Sequence, residues 1–62
     1  MLVYELCSKC GNWVDQYRII TPDGRCYEKF NYMEFSDKYT LADVKRFQLE
    51  KTAGVFTLEV VL

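Results

Sequence analysis

There is no histidine anywhere in the 62 residues. Imidazole is the commonest general base near neutrality and the usual partner of a nucleophilic Ser or Cys, so those pairs are unavailable. Carboxylates remain, but a working acid/base pair needs a cleft to push its pKa values apart, and so short a chain rarely encloses one. Catalysis is therefore not expected. An excess of charge of one sign is missing too: eight basic and nine acidic residues give a net charge of −1. The bases Lys9, Arg18, Arg25, Lys29, Lys38, Lys45, Arg46 and Lys51 are scattered. Without the concentrated positive face that displaces counterions, direct DNA or RNA binding is not expected. No apolar run approaches membrane-spanning length. The opening Met1-Leu2-Val3-Tyr4-Glu5-Leu6-Cys7 lacks a basic stretch and carries Glu5 where a secretory leader is apolar. Three cysteines are an odd number, whereas secreted mini-proteins usually pair all their thiols, so a cytoplasmic location is expected.

Apolar residues are not lacking. They make up half the chain and include one Trp, five Tyr and four Phe, too many for a disordered segment. One domain spanning residues 1–62 is expected. Domains of this size bury a modest fraction of their surface and often lean on disulfides, a metal or oligomerisation. Aromatic side chains beyond what a small core can hide point to a partner surface; partly exposed tyrosines on strands would give the same composition.

Local patterns predict an α+β domain, a small antiparallel sheet in the order β-β-β-α-β with one helix packed on it. Residues 2–7 alternate as a strand, and Ser8-Lys9-Cys10-Gly11-Asn12 reads as a turn, so that residues 1–12 form an N-terminal strand and turn before a ββαβ unit over 13–62. A second strand covers about 13–21. Thr21-Pro22-Asp23-Gly24 has Pro for a type I turn and Gly for the left-handed residue of a bulged hairpin, returning as a strand over about 25–33. Glu34 to Lys38 is a polar connection. Thr40 followed by Asp43 suggests an N-cap, Gly54 a stop, and a helix over about 41–53. Val55 to Leu62 alternates as the last strand. The expected helix is apolar on two sides: Leu41, Val44 and Phe47 lie along one, Ala42, Leu49 and Ala53 along the other. Such a helix packs on its sheet and on a second body, or presents one broad stripe to the sheet alone.

The one chemical motif is Cys7-Ser8-Lys9-Cys10-Gly11. A C-x-x-C-G turn is half a zinc ribbon. Cys26 is the only further thiol, so Asp23, Glu28 or a second protomer would have to complete a zinc site built on Cys7, Cys10 and Cys26. A redox pair would sit before a helix, where the dipole lowers a thiol pKa; unliganded structural thiols are the third reading.

Tyr17-Arg18-Ile19-Ile20-Thr21-Pro22-Asp23-Gly24-Arg25, the aromatic strand Tyr27-Glu28-Lys29-Phe30, Thr40-Leu41-Ala42-Asp43-Val44 and the ending Val55-Phe56-Thr57-Leu58-Glu59-Val60-Val61-Leu62 together resemble the small uracil-DNA glycosylase inhibitors of phi29-like Bacillus phages. The resemblance covers about two-thirds of the chain, through patterns that small antiparallel sheets share. It implies a phage protein in the host cytoplasm, a homodimer whose paired helices build an apolar pocket and block the DNA-binding cleft of a host glycosylase. Aromatic pocket positions of that family fall on Val44 and Gln48 here, neither aromatic, with Phe35, Tyr39 and Phe47 nearby. The expected partner-binding residues are accordingly Phe35, Tyr39, Val44 and Phe47 as apolar contacts, and Glu34, Asp37 and Asp43 in place of DNA phosphates. The alternatives are a zinc-stabilised structural or adaptor module, and an inhibitor of another host or defence enzyme.

Overall fold

A computed structural model describes all 62 residues. Helix α1 (Val3–Cys10) comes first, then strands β1 (Gln16–Ile20) and β2 (Cys26–Lys29), a 3-10 turn over Tyr32–Glu34, a one-turn helix α2 (Asp37–Thr40), and strands β3 (Arg46–Thr52) and β4 (Val55–Val61). The α+β class, the four strands and the single main helix are as the residues imply; the helix lies elsewhere in the chain. The sheet runs β2-β1-β4-β3 and is mixed: β1 and β4 are parallel neighbours at its centre, and each has an antiparallel partner outside it. No helix is long and apolar enough to cross a membrane.

Residues 2–7, expected as a strand, belong to α1 instead. The run fits both periods: Leu2, Tyr4 and Leu6 alternate, yet Val3, Leu6, Cys7 and Cys10 fall at helical spacing. Local bonds favour the helix. The Leu2 N–H donates to Glu5 Oε1 at 2.8 Å, and the Ser8 hydroxyl donates to the Glu5 carbonyl. Glu5 and Lys9 also suit the helix dipole at their respective ends. Val3, Leu6 and Cys7 are buried with Tyr17, Ile19, Phe35, Leu58 and Val60 in the one core cluster. The first twelve residues are thus part of the core, not an appendage to a ββαβ unit.

The converse correction applies to 41–53. Residues 46–52 form strand β3, and the two apolar sides of the expected helix are what strict alternation becomes when wound at 100° per residue. Phe47 and Leu49 point one way; Arg46, Gln48, Glu50 and Thr52 point the other. Gly54 closes a two-residue hairpin rather than a helix, with Ala53 at φ +53° and Gly54 at +81°, both left-handed as a type I′ turn requires. Thr40 is no N-cap; it is buried at the end of α2.

Three expectations hold. Gly24 sits at φ +87°, with its N–H on the Thr21 carbonyl and the Thr21 N–H on the Arg25 carbonyl, which joins β1 to β2. Of Trp13, Tyr17 and Ile19, expected on one face of the second strand, Tyr17 and Ile19 share the core face of β1, while Trp13 precedes the strand and is exposed. Val55–Val61 is a strand whose Leu58 and Val60 are wholly buried.

Candidate functional site

The sheet has two faces of opposite character. On the inner face, α1 packs on β4, while Tyr32 and Tyr39 from the connecting segment lie against Tyr17 and Tyr27. That cover stops short of β3. The register sets Phe47 beside Val60, Leu49 beside Leu58 and Lys51 beside Phe56, so these side chains extend the core face outward. They end in solvent: Phe47 is 52%, Leu49 53% and Phe56 40% exposed. The Lys51 ammonium lies 5.1 Å from the centre of the Phe56 ring. An apolar surface continuous with the core and open to water is a feature that monomeric domains generally cover.

The outer face is polar and centred on Arg18. Its Nε donates to Glu28 at 2.8 Å and its Nη1 to Glu59 at 2.9 Å, with Glu50 at 3.5 Å. These side chains come from all four strands. Gln48 donates to the second oxygen of Glu59, and Gln16 to the Thr57 hydroxyl. The hydrogen bonds it donates to Glu28 and Glu59 raise the Arg18 pKa further above its ordinary value. Every buried side-chain polar atom has a partner, so the network meets its own hydrogen-bonding needs.

The expected partner-binding residues do not form one surface. Phe35 is buried in the core, and Tyr39 and Val44 are half-buried against it. Glu34 ends the 3-10 turn, and Asp37 opens α2. Asp43 is bridged to Leu2 in an irregular segment, where the resemblance places a helix start. Phe47 alone lies on an open apolar face. Of its neighbours there, Phe56 follows from the alternation of the last strand, while Leu49 is legible only by reading 46–52 at period two. No local signal marks Arg18, whose acceptors lie 10, 32 and 41 positions away.

The fold does not bring Cys7, Cys10 and Cys26 of one chain together. Cys7 and Cys10 sit on the last turns of α1, Cys7 buried and Cys10 half-buried, while Cys26 is exposed on β2. No three Cys, Asp or Glu side chains are grouped to hold a metal. The redox reading meets an opposite electrostatic setting: burial, with Cys10 adding to it, pushes the Cys7 thiol up to about 12, away from the thiolate such chemistry needs. Cys7 does its packing as a small apolar side chain.

The roomiest hollow, about 450 Å³, lies between the β1–β2 turn and α2 and includes Asp23, Arg25, Tyr27, Lys38 and Tyr39. Its one carboxylate, Asp23, accepts from the Thr21 hydroxyl and pairs with Arg25. The Thr21 bond holds that carboxyl below its usual range.

No family model, no curated protein and no solved structure matches the chain.

Proposed function

We propose that this protein acts without catalysis, by docking the inner face of the β3–β4 hairpin onto another protein. The observation that carries this reading is the row of Phe47, Leu49 and Phe56, aligned with the core and left open. Burying a side chain of this kind contributes about 1.5–3 kcal/mol, enough for three of them to anchor an interface with a polar rim. Lys51, on the same face and over the Phe56 ring, supplies part of that rim. The carboxylates of the outer face are held by Arg18 and the one in the roomiest hollow by Thr21 and Arg25.

A photo-crosslinking amino acid at position 56 tests this in cells that make the protein. Adducts heavier than two copies of the chain, formed from position 56 and not from position 28 on the outer face, are expected. If position 56 captures nothing but the chain itself, the reading fails. Inhibition of a uracil-DNA glycosylase is the specific form the resemblance implies, now through a strand face rather than a helical pocket. Stoichiometric loss of uracil excision, relieved by Phe47→Asp, would identify that enzyme as the target; undiminished excision at large molar excess would remove it.

A further inference from the structure

Strand β3 is an edge strand, and its outer edge has no neighbour. Natural sheets protect such edges by shortening them, by bulges, by proline or by inward charges. The other edge, β2, has four residues; β3 has seven, in unbroken register with β4 from Arg46↔Val61 to Thr52↔Val55, and contains no proline.

Which groups the edge offers follows from the hydrogen bonds of β4. The N–H of Leu62 and the N–H and C=O of Phe56 bond toward β1 or the residue before it, so the odd residues 55, 57, 59 and 61 turn toward β3. They exchange bonds with Thr52, Glu50, Gln48 and Arg46. The N–H and C=O groups of Phe47, Leu49 and Lys51 therefore point outward, six groups in a row without a partner in the sheet.

We propose that this edge pairs with the same edge of a second copy of the chain, antiparallel, about a twofold axis at Leu49. In that register Leu49 faces Leu49 of the second copy, Phe47 faces Lys51, Gln48 faces Glu50 and Arg46 faces Thr52. The strand lies over its own full length, all six outward groups find partners, and no like charges stand opposite one another. Shifting the axis to Gln48 sets Lys45 against Lys51 and leaves Lys51 outside the ladder, so the Leu49 axis is the better match. A closed twofold contact of this kind consumes the edge once and cannot grow into a fibre. The two sheets become one of eight strands, whose central pair brings four exposed apolar side chains, Phe47 and Leu49 from each copy, onto one face.

Pairing through the edge goes beyond docking through the face, and the two are separable by experiment. Sedimentation equilibrium of the wild type should give twice the 7.4 kDa chain mass. Leu49→Lys, at an exposed position, should keep the circular dichroism spectrum and give the single mass. Phe56→Asp, on β4 and off the edge, should remain dimeric. A second measurement covers the chance that Leu49→Lys unfolds. Paired Leu49 Cα atoms would stand about 5.5 Å apart, within disulfide reach. Leu49→Cys in a Cys26→Ser background should therefore oxidise to a covalent dimer at least tenfold faster than Cys26→Ser alone. A monomeric wild type overturns the proposal even if position 56 captures a partner; so does a dimer that survives Leu49→Lys, or no gain in crosslinking at position 49.

Discussion

Replacing Arg18 with Met tests how far the outer face holds the sheet together. The substitution keeps an unbranched stem over the strands and removes one cation from among three carboxylates. Arg18 is only 23% exposed and Glu59 only 17%, so their 2.9 Å contact is shielded on both sides; hydrogen bonds to charged groups of this kind are worth about 1.5–3 kcal/mol. Glu28 is half exposed and Glu50 sits at 3.5 Å, contacts that each add at most about 1 kcal/mol. Once Arg18 is gone, Glu59 keeps only the 3.3 Å bond from Gln48, and Glu59 repels Glu50 on the adjacent strand and Glu28 across β1. A loss of about 2–3 kcal/mol at neutral pH follows. A domain of this length is stable by only about 3–9 kcal/mol, so the loss is large. With an m-value of about 1 kcal/mol/M the urea midpoint should fall by about 2 M. Glu28→Gln, which removes the most exposed carboxylate, should cost under about 1 kcal/mol. A midpoint shift no larger than that of Glu28→Gln would refute this reasoning.

Other consequences concern the hairpin, the core and the buried thiol. Ala53 occupies a left-handed position at φ +53°, so Ala53→Asn, which makes the preferred Asn-Gly turn, should raise stability by about 1 kcal/mol in urea titrations. Leu58 has no exposed surface between β1 and β3; Leu58→Ala should cost about 3 kcal/mol and lower the thermal midpoint by well over about 10 °C. Because Cys7 ionises near 12 in the fold and at its ordinary 9.0 when released, the unfolded chain loses a proton first as pH rises. Stability should decline from about pH 9 upward, a slope that Cys7→Ala makes shallower. Tyr17, whose phenol is raised mainly by burial, contributes in the same direction, so some decline should remain in that variant. With a thiol reagent under native conditions Cys26 should react first, and Cys7 only on unfolding.

Where the chain's signals were strictly local, they could be read directly. Thr21-Pro22-Asp23-Gly24 encodes its turn in its own φ preferences, and Val55–Val61 combines alternation with β-branched Val55, Thr57, Val60 and Val61, which favour a strand. Composition alone placed more aromatic side chains in the chain than its ten buried residues include, and Trp13, Phe30, Phe47 and Phe56 are indeed exposed. The two misplacements, α1 and β3, share one cause. Over seven or eight residues, periods of two and of 3.6 both find enough apolar positions to fit, and propensity is too weak to choose between them. Tertiary contact makes the choice: β4 has a free edge that only an extended partner can fill, and the core beside Leu58 and Val60 needs an amphipathic cover that Val3, Leu6 and Cys7 supply. The cysteine spacing was ambiguous in the same way, a metal turn if extended and a packed pair on one side of a helix once wound.

The residues by themselves determined the α+β class, the hairpin at 21–24, the last strand and the want of histidine chemistry, because each depends on neighbours in sequence or on composition. Only the tertiary structure decided that Arg18 gathers carboxylates from three other strands, and that Phe47, Leu49 and Phe56 share an uncovered surface beside an open edge. Both arrangements depend on which strands become neighbours, and strand order is set by the packing of distant segments.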